Sequence, residues 1–356
     1  MSLQINKLKV IRKEFETPDS VSIYFDLGKE PDKVWSYLPG QYITLKMDFE
    51  GFELPLRRAY SLCTNPNSQD FGFCVKRVQD GLVSNYLIDN LEVGDEIDVI
   101  PPLGNFTLKD SFLKDQDLVF IAAGSGITPV YSMMSYIQEL SAKAINCPRL
   151  HLLYVNKTEQ DIIFKKSIDG IAKSNLKVVH YLTRYKGDDE AYNKGRIDIK
   201  ALNQYFREQN IDCYRAQVFV CGPEGLLNTV QSYFRSQELP IERLHFELFN
   251  ASEGSPVSEN QEDNTHYSVK VLLDGEEFNI KVGSKENIIQ RMIDENIDAP
   301  YTCLNGTCSS CMALKREGDI VIRRTEGLSK EEIEEGFILA CQCAPRADNL
   351  VVDFDY

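Results

Sequence analysis

The chain has 356 residues, 43% hydrophobic and 26% charged, which predicts two or three globular domains, each able to bury its own core. Its net charge of −15 disfavours nucleic acid as a partner, and no apolar run is long enough to span a bilayer. The start, MSLQINKLKV, lacks a basic segment leading into an apolar one, so no signal peptide is expected; ten cysteines in such a chain predict a reducing, cytoplasmic setting.

Residues 1–110 read as short strands: LQINKLKVIRKEF, VSIYFDLG, QYITLKMDF, AYSLCT, FGFCVKRV and DEIDVIPP. They alternate apolar and polar side chains and are separated by Gly, Pro, Asn and Asp, which predicts an antiparallel barrel with one helix near SNYLIDNL. Residues 111–249 change rhythm. The strands DLVFIAAG, RLHLLYVN, LKVVHYLT, AQVFVCG and RLHFELF alternate with helices at VYSMMSYIQELSA, 160–173, 199–208 and 224–237. That is the pattern of an α/β doubly wound parallel sheet. Residues 250–265 hold one apolar side chain of any size, Val257, and read as a solvated linker. Residues 266–356 begin with the hairpin HYSVKVLLDGEEFNIKV, continue with the helix ENIIQRMIDENI and close on the strand NLVVDFDY, which predicts a small α+β domain.

Cys303, Cys308, Cys311 and Cys341 carry the strongest signal. Their spacing, four residues, two residues and a long gap, is that of a plant-type [2Fe–2S] cluster. Soft thiolates on a tight loop suit two ferric ions, and Gly306, Ser309 and Ser310 let that loop curl. A structural zinc site ordinarily draws on two CxxC pairs, and only Cys308 and Cys311 form one here. A protein with such a cluster moves single electrons. Cys343 is read as a non-ligand.

Three further motifs point to nucleotides. In RRAYSL, preceded by PGQY, an arginine followed two residues later by an aromatic suits a flavin nucleotide. The guanidinium pairs with pyrophosphate, the ring stacks, and Ser61 hydrogen-bonds near the flavin N5. Downstream, Gly81 and Ser84 open a short helix whose N–H groups suit a phosphate. AAGSGITPV lies at a strand-to-helix junction, where Gly124 and Gly126 admit a pyrophosphate, with Thr128 as N-cap and Pro129 at the first helical position. VFVCGPEGLL repeats this geometry and sets Cys221 at the carboxyl edge of the sheet. Thr183 and Arg184, with Lys157 as a second candidate, offer a hydroxyl and cations for a ribose 2′-phosphate; a solvated loop with incidental charges explains them equally well.

Together these motifs resemble the ferredoxin–NADP reductase superfamily, in the branch with a C-terminal plant-type ferredoxin domain. Within it the chain is most similar to reductase subunits of the phenylacetyl-CoA epoxidase type. The resemblance implies a flavin-binding β-barrel, a nicotinamide domain and a β-grasp ferredoxin domain. It implies FAD held by Arg58, Ala59, Tyr60, Ser61, Val75 and Lys76, with Gly81, Val83 and Ser84 at the pyrophosphate. Related phthalate-type reductases use FMN instead. The GSGITP run and Cys221, Gly222 and Pro223 serve NADP(H) as substrate, and Glu247 and Phe249 of HFELF close over the flavin. The superfamily often ends this domain in tyrosine, where this chain has Phe249. Ser61, Cys221 and Glu247 are the candidate catalytic residues.

The expected activity is an NAD(P)H-dependent oxidoreductase that hands electrons to an oxygenase component, with phenylacetyl-CoA epoxidase in phenylacetate degradation as client. Other clients, such as a ring-hydroxylating dioxygenase or a hybrid-cluster protein, use the same chemistry. A non-catalytic electron carrier or iron–sulfur sensor would not need two nucleotide motifs. No di-iron carboxylate pattern or haem motif marks a self-sufficient oxygenase. From residue 251 onward there are 21 acidic and 10 basic residues, against 33 and 29 before it. This predicts an acidic ferredoxin domain steered toward a basic protein surface.

Overall fold

A computed structural model describes residues 5–28, 33–114, 117–143, 147–171, 175–249, 265–304, 306, 308–325 and 327–356. The linker expected over 250–265 lies outside the described residues except for its last position.

The first sheet has six antiparallel strands: β1 (Asn6–Thr17), β2 (Ser20–Asp26), β3 (Tyr42–Met47), β4 (Leu56–Ser61), β5 (Phe71–Lys76) and β6 (Glu96–Leu103). Their order is β4-β3-β6-β1-β2-β5, and a bridge between Leu62 and Phe73 joins the two edges into a barrel. Alternation explains the interior: Ile43 and Leu45 of β3 point inward with Val10, Ile23, Phe73 and Val99. The helix α1 (Leu82–Asp89) adds Val83, Leu87 and Ile88 to the same core.

The second sheet is fully parallel. It contains β7 (Asp117–Ala123), β8 (Arg149–Asn156), β9 (Leu176–Leu182), β10 (Tyr192–Lys194), β11 (Gln217–Gly222) and β12 (Leu244–Leu248) in the order β10-β9-β8-β7-β11-β12. Each face is covered, as the near-continuous apolar runs require. Phe120 and Ala122 of β7 pack with Ile127, Val130 and Met133 of α2 (Ile127–Ala142) and Ile168 of α3 (Lys165–Ile171). Val119 and Ile121 point the other way, toward Leu202 of α4 (Ile199–Glu208) and Val230 and Phe234 of α5 (Glu224–Ser236). Full burial of each such side chain contributes about 1.5–3 kcal/mol. Phe106, from the barrel's exit, meets Phe219 edge-on at 5.7 Å, so the first two domains share a core.

The third sheet has the order β14-β13-β19-β15-β17, from β13 (His266–Leu273), β14 (Glu276–Gly283), β15 (Met312–Glu317), β17 (Phe337–Leu339) and β19 (Leu350–Asp353). The first hairpin pairs antiparallel, but β13 lies parallel to β19, the last strand of the chain. The helix α6 (Ile288–Asp294) packs Ile288, Ile289 and Met292 against this sheet, giving a β-grasp α+β domain. A two-stranded ribbon of β16 (Ile320–Ile322) and β18 (Cys343–Pro345) and a short helix α7 (Lys330–Glu334) complete it. No helix among the described residues is long and apolar enough to cross a membrane.

One local expectation is corrected. Thr128 is not the N-cap of α2: a 3₁₀ turn over Gly124–Gly126 precedes the helix, and Gly126 holds the cap position. The Thr128 hydroxyl donates to the Ser125 carbonyl at 3.0 Å instead of accepting from the helix, and Pro129 falls later in the first turn than expected.

Candidate functional site: a crevice shared by three domains

The parallel sheet reverses its order between β7 and β11, so a crevice opens at the carboxyl ends of these two strands. The two glycine motifs meet there. Gly124 has φ of +53°, and a Cβ on Gly126 would collide with the Cys221 carbonyl oxygen, so only glycine allows the two turns to touch. The Tyr154 hydroxyl donates to the Gly124 carbonyl at 2.9 Å and fixes the turn from beneath.

Glu247 of β12 stands in register with Cys221 of β11, and both point at the end of the barrel. The Ser61 hydroxyl donates to Glu247 Oε2 at 3.2 Å, and the Cys221 thiol lies 4.0 Å from the same oxygen. The three candidate catalytic residues, drawn from two domains, therefore converge on one carboxyl. Burial pushes the Glu247 carboxyl up to about 8; the Ser61 hydrogen bond opposes this, and the nearby Cys303 sulfur adds to it. Burial also raises the Cys221 thiol well above its ordinary value, so it is a neutral group here. Gly222 and Pro223 continue the turn, and the Phe249 N–H donates to the Gly222 carbonyl at 3.3 Å, which sets the Phe249 ring against the nucleotide-domain core.

On the barrel side, Tyr60 packs on Phe73 at 4.7 Å, and Arg58 is exposed, with Nη1 donating to the Arg57 carbonyl at 2.8 Å. Ala59 lies between them on β4. Lys76 reaches across to the nucleotide domain: its Nζ is 3.9 Å from Asp161 and lies beside Gly124, while the neighbouring Val75 is buried. Gly81 is the extended N-cap of α1. Ser84 accepts from the Val78 N–H at 3.1 Å, which folds the loop before α1 back onto its first turn beside buried Val83.

Lys157, Thr183 and Arg184 are all exposed and are brought together by parallel pairing. The Arg184 N–H donates to the Lys157 carbonyl at 2.8 Å, and the Thr183 N–H to the Asn156 carbonyl at 2.9 Å. Asn156 is not apparent from the sequence. It is buried at the end of β8, and its side-chain oxygen and nitrogen both lack a hydrogen-bond partner. A buried polar side chain in this state costs free energy unless something pairs with it.

The four cysteines form two pairs. Cys308 is in thiol contact with Cys303, and Cys311 with Cys341; these contacts, then burial, raise Cys308 and Cys311 well above the ordinary thiol value. The pairs also sense each other, through Cys308 and Cys311. Two thiols per metal is the donor set of a two-iron cluster, in which each iron takes two cysteines. Thiols held up in this way release protons when metal binds. The loop abuts the barrel: the hydroxyls of Ser310 and Tyr42 are 2.9 Å apart, and Tyr42 is in register with Ser61.

A flavin-type barrel, a nicotinamide-type crevice and a cysteine loop that meet at one place define a reductase that joins hydride and single-electron chemistry. Family models match all three: an oxidoreductase FAD-binding domain over residues 7–108, an oxidoreductase NAD-binding domain over 120–232 and a 2Fe-2S iron-sulfur cluster binding domain over 271–346. The ferredoxin reductase component of 3-ketosteroid-9-alpha-monooxygenase from Rhodococcus rhodochrous is 33% identical, over 95% of this chain and 94% of its own. One subunit of the 1,2-phenylacetyl-CoA epoxidase from Escherichia coli is 28% identical over 98% of both chains. Among solved structures, phthalate dioxygenase reductase matches with a TM-score of 0.58 and 25% identity, over 98% of both chains. The chain belongs to the ferredoxin–NADP reductase superfamily, in the branch of oxygenase reductase components with a C-terminal [2Fe–2S] domain. It is an NAD(P)H-dependent oxidoreductase whose cofactors are FAD and a [2Fe–2S] cluster.

The Glu247 shift predicts a pH dependence of stability. A carboxyl raised from 4.5 to about 8 by burial favours its neutral form in the fold, so its contribution is complete below 4.5 and is lost as pH rises through about 8. In thermal unfolding followed across that window, Glu247→Gln should flatten the decline seen in the parent protein. Parallel curves for the two proteins would refute the assignment.

Proposed function

We propose that this chain takes a hydride from NADPH and delivers single electrons, one at a time, to an oxygenase component in the cytoplasm. The observation that carries this reading is the convergence of Ser61, Cys221 and Glu247 on one crevice with the paired cysteine loop beside it. When bound, the nicotinamide gives two electrons at once, and the flavin and cluster divide them into single steps. Residues 1–110, 111–249 and 266–356, with 250–265 as linker, are the units that divide this work.

In this reading Arg58 and Ala59 with Gly81, Val83 and Ser84 hold the flavin's phosphates. Tyr60 stacks on the ring, and Val75 and Lys76 line its edge facing the nucleotide domain. With flavin bound, the single Ser61 hydroxyl proton turns from Glu247 to the ring near its reactive nitrogen, and the Glu247 carboxyl, its own proton kept by burial, donates to the Ser61 oxygen and orients it. Gly124, Gly126, Thr128 and Pro129 with Cys221, Gly222 and Pro223 seat the nicotinamide nucleotide, and Phe249 closes the pocket. Cys303, Cys308, Cys311 and Cys341 ligate the cluster. Cys308→Ser should lower bound iron and acid-labile sulfide together and leave flavin content unchanged; full sulfide in that variant would remove Cys308 from the ligand set.

NADPH is the preferred nucleotide, because Lys157, Thr183 and Arg184 present two cations and a hydroxyl at adjoining strand ends. Arg184→Ala should weaken NADPH binding by roughly 1.5–3 kcal/mol, the scale of a charged hydrogen bond, and barely change NADH. Equal losses for both nucleotides would refute a 2′-phosphate role.

For the client, likeness to the Escherichia coli 1,2-phenylacetyl-CoA epoxidase component supports that oxygenase. The higher identity to the reductase of 3-ketosteroid-9-alpha-monooxygenase favours a second reading, an oxygenase of that kind. Both are tested by mixing this protein and NADPH with each purified oxygenase and its substrate. Product from the epoxidase alone supports the first reading, and product from the ketosteroid enzyme alone supports the second.

A further inference from the structure

The outward face of β3 is largely withdrawn from water. Tyr42, Thr44 and Lys46 alternate with the inward Ile43, Leu45 and Met47, and such a polar face on an antiparallel barrel is ordinarily solvated. Here Tyr42 is 3% and Thr44 1% exposed, because the ferredoxin domain covers them. The Thr44 and Thr302 hydroxyls are 3.0 Å apart, and Lys46 Nζ is 2.8 Å from Asp298 Oδ2.

Arg57 of β4, opposite Lys46 in register, anchors this contact. Its Nη1 donates to the Ala299 carbonyl at 2.6 Å, its Nη2 to Asp298 Oδ1 at 2.8 Å, and its guanidinium lies 5.6 Å from the Tyr301 ring centre. Arg57 is only 4% exposed. A buried guanidinium persists only when charge and hydrogen bonds compensate it, and every one of these partners belongs to the other domain. The burial of Arg57 is therefore conditional on docking. Arg57 and Arg58 are neighbours on one strand, so they point to opposite faces: Arg58 is exposed, and Arg57 enters the interface.

We propose that Arg57 and Asp298 form a latch that holds the ferredoxin domain on the barrel, with its cysteine loop against Tyr42, and that flavin-to-cluster electron passage takes place in this latched arrangement. Arg57 and Asp298 are positioning residues, and the electron-passage part rests on the reading of the flavin and cluster sites above. The Tyr42–Ser310 and Thr44–Thr302 pairs supply alignment, and the charge pair supplies the hold.

The test uses the full-length holoprotein with Asp298→Asn, Arg57→Met and Arg57→Lys. Asp298 lies at the rim, so Asp298→Asn opens the latch even if Arg57→Met fails to fold. Small-angle scattering should report a larger radius of gyration for Asp298→Asn and Arg57→Met, with Arg57→Lys recovering part of the difference. In anaerobic stopped-flow with NADPH, bleaching of the flavin band should keep its rate, and bleaching of the cluster band should slow by about tenfold, since loss of the rim carboxylate leaves the buried Arg57 guanidinium without its charge partner and shifts the docked population by about that factor. Unchanged scattering with an unchanged cluster rate in Asp298→Asn would overturn the latch. Equal slowing of flavin and cluster bleaching would overturn it too, because that marks general damage to the barrel. Flavin, iron and sulfide are assayed in the parent protein first. Their absence would refute the cofactor reading, and expanded scattering in Asp298→Asn would still support the latch.

Discussion

The Ser61–Glu247 hydrogen bond is the point on which the rest of the arrangement hangs. Ser61 ends β4 of the barrel and Glu247 lies on β12 of the parallel sheet, so this contact joins the flavin-type surface to the nicotinamide-type crevice at the site itself. It exists because the sheet reverses its order between β7 and β11 and because β12 extends the sheet beyond β11, in register with Cys221. The shared core of Phe106 and Phe219 makes the angle between the two domains a packing constraint, which a lone surface contact would not impose. The Ser132 hydroxyl, which donates to the Thr64 carbonyl at 2.6 Å, and the Asn65 and Asn67 amides, which donate to Glu139, add further polar ties within the same interface.

Strands with a strong period, such as SVSIYFD and DLVFIAA, and helices such as EGLLNTVQSYFRS are legible in the sequence. Their own side chains carry the pattern that burial reads out. The glycine turns are legible for the same local reason, although an intervening 3₁₀ turn, invisible in the sequence, shifts the cap from Thr128 to Gly126. The short strands β10, β15, β16, β17 and β18 are not legible. MALKRE pairs with strands from elsewhere in the third sheet, and IVI with Cys343–Pro345, so their structure depends on partners distant in the chain.

The site shows the same division. The cysteine spacing, RRAYSL and GSGITP are local signals, and each falls where a nucleotide or metal is expected. Asn156 and Arg57 are invisible for opposite reasons. Asn156 reads as an ordinary polar residue at a strand end, and only the fold shows it buried with both polar atoms unpartnered. Arg57 reads as the first of two surface arginines, and only the docked ferredoxin domain shows that it is enclosed. Likewise YITLKM shows an outward polar face, and nothing local says that another domain covers it.

Docking also separates two electrostatic roles that the net charge alone would merge. The region from residue 251 onward carries 21 acidic and 10 basic residues, and one of those acids, Asp298, is engaged in holding the domain to the barrel through Arg57 and Lys46. On the function proposed above, the exposed carboxylates among the rest steer a basic protein partner. Next to the cysteines, Leu304 is 36% exposed, so the loop keeps an apolar point of contact while Ser310 and Thr302 are covered. Salt acts on the two roles unequally. Exposed charges are screened within about 8–10 Å near physiological ionic strength, whereas the pair between enclosed Arg57 and the rim carboxylate of Asp298 is screened less. Moderate salt therefore weakens attraction to the partner before it loosens the latch. On these two proposals, internal electron passage and delivery to the oxygenase have different salt thresholds, although both depend on the charge of one small domain.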